Sequence, residues 1–130
     1  MGESQVNVKR VYDDAADSDG MRVLVDRMWP RGMRKDAAEL DDWNKEVAPS
    51  SELRRWYGHD PDRFEEFSAR YRDELDERTD ELDTLIDGLG TKKLTLLTAT
   101  KDVEHSHAVV LADVLRDRRS RGASRRGRHA

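Results

Sequence analysis

Two short runs of apolar residues constrain the fold of this chain more than any other feature. Residues 21–26 read MRVLVD and residues 92–98 read KKLTLLT. Continuous runs of this kind are typical of strands that are covered on both faces. The long segment between them has mainly helical patterns. We therefore expect two parallel neighbouring strands that are joined by a right-handed helical crossover.

Weaker patterns predict the remaining elements. Apolar residues alternate with polar ones over residues 6–12, which predicts an edge strand. Apolar residues at spacings of three and four predict amphipathic helices. Ser50 or Ser51 and Asp60 are suitable N-caps, and Pro61 suits a first helical position. The predicted helices lie at residues 37–47, 52–57, 61–89 and 105–115, and residues 61–89 form either two helices with a break near Arg78 or one long helix with a solvated middle.

Length and composition indicate one small α/β domain. The chain has 130 residues, of which 35% are hydrophobic and 40% are charged. A single core is expected at this length, with most charges on the surface. The predicted fold is a small, mostly parallel sheet with helices packed on it. Because there is no cysteine, a disulfide framework, a thiolate nucleophile and a sulfur-ligated zinc site are excluded. No apolar stretch is long enough to span a membrane, so a cytoplasmic protein is expected.

The charges are distributed unevenly between a domain at residues 1–117 and a tail at residues 118–130. The tail holds six arginines and no acid, which leaves 18 basic and 28 acidic groups in the domain, a net charge of −10. An acidic domain argues against nucleic acid as the main partner, since duplex binding needs a positive face. The tail is predicted to be disordered. It is either a solvated extension or a tether that adds affinity for nucleic acid.

Candidate site residues follow the two central strands. Ligands of open parallel sheets bind outside the carboxyl ends of the strands. Asp26, Arg27, Trp29 and Arg31 follow the first run, and Lys101, His105 and His107 follow the second. Trp56 and His59, in and after the short second helix, complete the set of candidates.

These residue types suit an anionic ligand with a flat or apolar part, such as a phosphorylated or carboxylated metabolite or a nucleotide. Arg27, Arg31 and Lys101 are the candidate anion contacts, with Trp29, Trp56 and His59 as further ligand-binding candidates. Asp26, His105 and His107 are the acid–base candidates, because imidazole titrates near neutral pH. Two or three of the histidines together with Asp26 could form a metal site, but their spacing matches no established metal template, and no metal ligand is assigned.

Each candidate also has a structural interpretation. The arginines could pair with neighbouring acids, the tryptophans could pack in the core, and Asp26 could hydrogen-bond the loop that follows it. His59 precedes the helix cap at Asp60. The sequence therefore leaves open whether the ligand is turned over and whether a cofactor is needed. It also leaves two alternatives to a metabolite-binding protein. One is a nucleic-acid-associated protein that uses the tail and the loop containing Arg27, Trp29 and Arg31. The other is an interaction module without chemistry.

Three segments resemble the YeaO-like family, a bacterial domain of unknown function numbered 488. They are residues 23–36, 41–75 and 94–115, and the distinctive motifs are DRMWPRG, EVAPS, WYGHDP and HSHAVVL. The resemblance covers nearly the whole chain and implies a compact α/β domain, but it implies no activity. This chain departs from the family pattern at residues 98–100, where it has Thr-Ala-Thr, and at Ser106, where asparagine is common.

Overall fold

Four parallel strands form one sheet in the computed structural model, which describes residues 6–34, 39–89 and 92–129 and side chains as far as Arg119. The sheet has the order β1-β4-β2-β3. Its strands are β1 Val6–Arg10, β2 Met21–Leu24, β3 Asp42–Trp43 and β4 Leu94–Thr98. The α/β class is therefore confirmed.

Strand β4 lies in the middle of the sheet and pairs on both sides. Leu94 is opposite Val6 of β1 and also opposite Met21 of β2, and both pairings are parallel. All five residues of β4 are buried. The parallel pairing of the two apolar runs and the edge position of the first strand are confirmed.

Four α-helices accompany the sheet in the described part of the chain. They are α1 Ser51–Tyr57, α2 Phe64–Asp76, α3 Thr79–Leu89 and α4 His107–His129. The Ser50 hydroxyl accepts a hydrogen bond from the Leu53 amide and so caps α1. The Asp60 carboxylate caps a 3₁₀ turn at Pro61–Arg63 that leads into α2. The predicted caps and the break near Arg78 are confirmed.

The helix predicted over residues 37–47 is wrong for the part that the structure describes. Asp42 and Trp43 form the short edge strand β3, and a 3₁₀ turn follows at Lys45–Val47. The apolar residues of this segment are buried in different places. Leu40 and Trp43 pack on one face of the sheet, and Val47 belongs to the main core on the other face. Their helical spacing therefore does not reflect one helical face.

The two faces of the sheet are covered differently. The main core lies on the helical face, where Val23 and Leu96 pack with side chains from all four helices, including Phe67, Leu85 and Leu111. On the opposite face, Leu24 and Leu97 are covered by side chains from the connection between β2 and β3, among them Trp29, Met33 and Trp43. The connection after β2 thus forms part of the second layer.

The backbone of α4 continues into the basic segment. The Arg118 guanidinium pairs with Asp83 at 2.6 Å, and the Arg119 guanidinium donates to the Lys92 carbonyl at 2.8 Å. A disordered tail at residues 118–130 stays a prediction. No helix in the described ranges is both long enough and apolar enough to cross a membrane.

Candidate functional site

A cavity of about 540 Å³ opens at the carboxyl ends of β2 and β4. Parallel pairing of these strands brings the loop after β2 and the turn before α4 to the same edge. The short helix α1 and the segment before it complete the wall. The sequence-predicted residues that line this cavity are Asp26, Arg27, Trp29, Arg31, His59, His105 and His107.

Two of the predicted ligand contacts lie elsewhere. Lys101 is exposed and does not line the cavity. Trp56 is also absent from the lining, and its partly buried ring packs against the main core and contacts two guanidinium groups. The Arg70 guanidinium lies 4.4 Å from the ring centroid and that of Arg63 lies 5.4 Å from it. The structure thus shows cation–π packing for Trp56, and its role as a ligand contact stays a prediction.

Asp26 is held by hydrogen bonds at the end of β2. Its carboxylate accepts from the Thr98 hydroxyl at 2.7 Å and from the Ala99 amide at 2.8 Å. The His107 Nε2 atom lies 3.2 Å from the same carboxylate. Burial alone would raise the pKa of Asp26, but the His107 ring and these two donors outweigh it and lower the pKa. Asp26 is therefore an ionised residue whose acceptor capacity is largely used within the protein.

His107, the first residue of α4, contacts two acceptor groups through its Nε2 atom. Its Nε2 atom lies 3.0 Å from the Val25 carbonyl oxygen and close to the Asp26 carboxylate. The Tyr71 ring packs edge-on at a centroid distance of 6.1 Å. Because a carbonyl and an ionised carboxylate can only accept, Nε2 carries the proton in the neutral ring.

His105 has a partner in its own turn. Its Nδ1 atom lies 2.8 Å from the Asp102 carboxylate, so the remaining ring nitrogen is Nε2. The Tyr57 hydroxyl donates to the His105 carbonyl at 2.6 Å, and the Phe64 ring contacts the imidazole edge-on. These contacts fix the turn against α1 and α2.

His59 has a different environment. Its backbone lies in the left-handed region, with φ of +56°, directly after Gly58 at the end of α1. Its ring is 6.4 Å from that of Tyr57. The unusual backbone turns the chain at the end of α1, which places His59 at the cavity wall.

Four arginines line the cavity, and sequence analysis missed two of them. Arg54 and Arg55 lie in the last turn of α1 and are exposed. Within the described part of the chain, the guanidinium groups of Arg31, Arg54 and Arg55 have no ion-pair or hydrogen-bond partner. Arg27 differs, because it donates to the carbonyls of Ala48 and Pro49 at 3.4 and 3.3 Å.

The wall formed by residues 46–50 is held by side chains. Its carbonyl groups accept from Arg27, Tyr71 and Arg78. Its last residue, Ser50, donates through its amide and hydroxyl to the Glu74 carboxylate, at 2.8 and 2.6 Å. Non-regular backbone at the edge of a core needs such partners, because unpaired polar groups there are costly. The motif EVAPS is therefore a constructed part of the cavity wall.

The loop after β2 is fixed by two tryptophans and a tyrosine. The indole of Trp43 donates to the Asp26 carbonyl at 2.8 Å, and the indole of Trp29 donates to the Met33 carbonyl at 2.7 Å. The Tyr12 hydroxyl donates to the Arg31 carbonyl at 3.0 Å. These bonds place Arg27 and Arg31 at the cavity although the loop has no regular structure.

The fold and the cavity together define a small α/β domain with an arginine-lined cleft at the carboxyl edge of its sheet. A family model described as the inactive DUF488-N3 subclade matches residues 5–129. This chain belongs to that family, and its resemblance to the YeaO-like proteins is confirmed.

Bacterial relatives match over most of their length. The uncharacterized protein Rv3073c of Mycobacterium tuberculosis is 50% identical over 116 residues, which cover 89% of this chain and 98% of the relative. The uncharacterized protein YeaO of Escherichia coli is 44% identical over 111 residues, which cover 85% and 96%. No solved structure matches the chain.

Proposed function

We propose that this protein binds an anionic small molecule in the cavity at the carboxyl edge of its sheet. The main supporting observation is that the cavity lining is positively charged although the chain as a whole is negatively charged. The whole chain has 28 acidic and 24 basic residues, yet among the described residues the cavity is lined by four arginines and one carboxylate, Asp26. That carboxylate is already occupied by internal donors. The cleft is therefore positive in a protein whose net charge is negative, which favours an anion.

The arginines supply the contacts for such a ligand. A guanidinium group presents planar, paired donors that match a phosphate or a carboxylate, and it stays charged at all physiological pH values. Arg31, Arg54 and Arg55 have their donors available, while Arg27 is partly engaged by the wall. We assign the first three as direct anion contacts and Arg27 as a contact that also fixes the wall.

The rest of the lining suits a ligand with a flat or apolar part. Met28, Pro30, Pro49, Tyr57 and Phe67 line the same cavity. Met28 is 67% exposed, which is unusual for a large apolar side chain. A volume of about 540 Å³ accommodates much more than one phosphate group. A phosphorylated or carboxylated metabolite, or a nucleotide, fits these features. Because such compounds are cytoplasmic metabolites, we propose that the protein acts in the cytoplasm.

Binding without turnover is the form of this proposal that the site favours. Asp26 accepts two internal hydrogen bonds and has a lowered pKa, so it is poorly suited to receive a proton from a ligand near neutral pH. The family description contains the word inactive, which agrees with this assignment. The acid–base roles suggested for His105 and His107 thereby become binding roles.

The proposal can be tested by isothermal titration with pyrophosphate, phenyl phosphate and adenosine monophosphate as probes. Arg54→Ala and Arg55→Ala should each weaken binding by about 10- to 150-fold, as expected for a charge-assisted hydrogen bond of about 1.5–3 kcal/mol. Arg72→Ala is the matched control, since Arg72 is an exposed arginine that pairs with Asp113 outside the cavity. It should leave the affinity unchanged.

Three results would contradict this function. The first is that none of the probes binds. The second is that the Arg72→Ala variant loses as much affinity as the cavity variants. The third is that single-stranded oligonucleotides bind tightly while the small probes do not. The last result would support the nucleic-acid alternative, in which the tail adds affinity through its six arginines.

A further inference from the structure

The two histidines at the start of α4 have their ring protons fixed by neighbouring acceptors. His105 has Nδ1 at 2.8 Å from the Asp102 carboxylate. His107 has Nε2 at 3.0 Å from the Val25 carbonyl and 3.2 Å from the Asp26 carboxylate. An imidazole that donates through one nitrogen carries its lone pair on the other. When both rings are neutral, the lone pairs therefore lie on Nε2 of His105 and Nδ1 of His107.

We propose that His105 and His107 are proton-dependent anion contacts, so that binding of an anion in this cavity takes up protons. A neutral imidazole offers only a lone pair at its remaining nitrogen, which cannot donate to a fully ionised anion. After protonation the same nitrogen becomes a charged donor, while the first nitrogen keeps its carboxylate partner. This inference rests on the proposed function and adds to it the way in which the site responds to pH.

The surrounding charges determine the sign of the coupling. His105 faces Asp102 in its own turn, Tyr57 of α1 and Phe64 of α2, with Asp60 near the tyrosine. His107 faces Asp26 at the end of β2 and Tyr71 of α2. The cavity that both rings line also contains Arg27, Arg31, Arg54, Arg55 and His59.

The four arginines repel a protonated imidazole when the cavity holds no anion, whereas a bound anion attracts it. An anion should thus favour the imidazolium form. By linkage, a ligand that binds the protonated protein more tightly gains affinity as the pH falls. Arginines cannot produce this behaviour, because their charge does not change in this range.

Sulfate is the probe for this inference, because its own charge is constant between about pH 6 and pH 8, the range in which histidine titrates. Titration calorimetry at about pH 7 in two buffers with different heats of ionisation should show net proton uptake. The affinity should rise from about pH 8 to about pH 6, by at most about tenfold per pH unit for each proton taken up. His105→Gln should reduce both the uptake and the rise.

His59→Gln is the comparison within the cavity, since His59 lines the cavity but has no carboxylate at hydrogen-bond distance in the described residues. Arg72→Ala is the matched control, because Arg72 pairs with Asp113 outside the cavity. Both variants should keep the pH dependence. A loss of the pH dependence in His59→Gln but not in His105→Gln would overturn the assignment. Sulfate binding with equal affinity at both pH values would overturn the inference and leave the proposed function intact. If sulfate does not bind at all, the inference fails, and the proposed function depends on the phosphate probes.

The ring assignments have an independent test in the unliganded protein. Nitrogen-15 NMR at about pH 8 should show neutral His105 protonated at Nδ1 and neutral His107 protonated at Nε2. The opposite form at His105 would place its proton on the nitrogen that the proposal assigns to the ligand. That result would overturn the inference even if anions bind.

Discussion

Asp26→Ala should destabilise the protein strongly, although Asp26 lines the cavity and resembles a catalytic carboxylate. The side chain is only 15% exposed and accepts from the Thr98 hydroxyl and the Ala99 amide. Removing it leaves both donors without that acceptor. A hydrogen bond to a charged group contributes about 1.5–3 kcal/mol, so the free energy of unfolding should fall by about 3–5 kcal/mol at pH 7. Part of the total stability of about 5–15 kcal/mol expected for a domain of this size should remain.

Urea denaturation followed by circular dichroism measures this loss. Asp102→Ala is the matched control, because its carboxylate also contacts a cavity histidine but is 55% exposed. That pair should contribute between about zero and 1 kcal/mol. A loss below about 1 kcal/mol for Asp26→Ala, or a loss equal to that of the control, would refute the structural role of Asp26.

The pH dependence of the stability lost in Asp26→Ala provides a second test of the structural role of Asp26. The pKa of Asp26 lies below its ordinary value of 3.8 in the folded state. The stabilisation by Asp26 is then fully present above the unfolded pKa and is lost as the pH falls through the lower folded pKa. The stability difference between the wild type and Asp26→Ala should therefore shrink as the pH falls below about pH 4. A difference that grows between about pH 4 and pH 2 would contradict this sign.

Three further perturbations test the fold and the tail. Gly20→Ala should lower the free energy of unfolding by about 3 kcal/mol or more in denaturation experiments, because φ is +67° and the new Cβ would lie 2.4 Å from the Lys93 carbonyl oxygen. As a comparison, Gly88→Ala has open space around it in α3 and should raise the free energy of unfolding by up to about 1 kcal/mol. Asp60→Ala should cost about 1 kcal/mol by thermal unfolding through loss of the cap, and a much larger cost would mean that Asp60 has a further partner. Deleting residues 118–130 should flatten the salt dependence of any oligonucleotide binding by up to about six charges, and an unchanged slope would exclude the tail as a tether.

The central part of the fold could be predicted from the sequence because its signals are local. Residues 94–98 are apolar without interruption, and a strand paired on both sides needs that composition. Caps at Ser50 and Asp60 likewise depend on neighbours only a few residues away. The segment at Leu40, Trp43 and Val47 failed because its burial depends on two different faces of a distant sheet. Spacing along the chain carries no information about which face covers a residue.

The cavity could be predicted only in part, for the same reason. Parallel pairing brings the loop after β2 and the turn before α4 together, so the six candidates on these two segments could be placed there from topology. The position of α1 relative to the sheet is determined by tertiary packing. Arg54 and Arg55 were therefore missed, and Trp56, two residues from Arg54, was named as a candidate although it does not line the cavity. Two adjacent arginines in a capped helix were the sequence signal that could have identified this part of the site. Nothing in the neighbouring sequence indicated that their side chains face the cavity.

The strand order β1-β4-β2-β3 has a consequence for synthesis on the ribosome. Strands β1 and β2 do not pair with each other, and each pairs with β4. Residues 94–98 are synthesised only after about three-quarters of the chain has been made, and they leave the ribosomal exit tunnel later still. Until then β1 and one side of β2 remain unpaired, and unpaired strand edges are prone to association. A nascent chain of this protein therefore cannot complete its sheet stepwise, and it should depend on chaperones or on rapid completion of translation more than a protein whose neighbouring strands are consecutive in sequence.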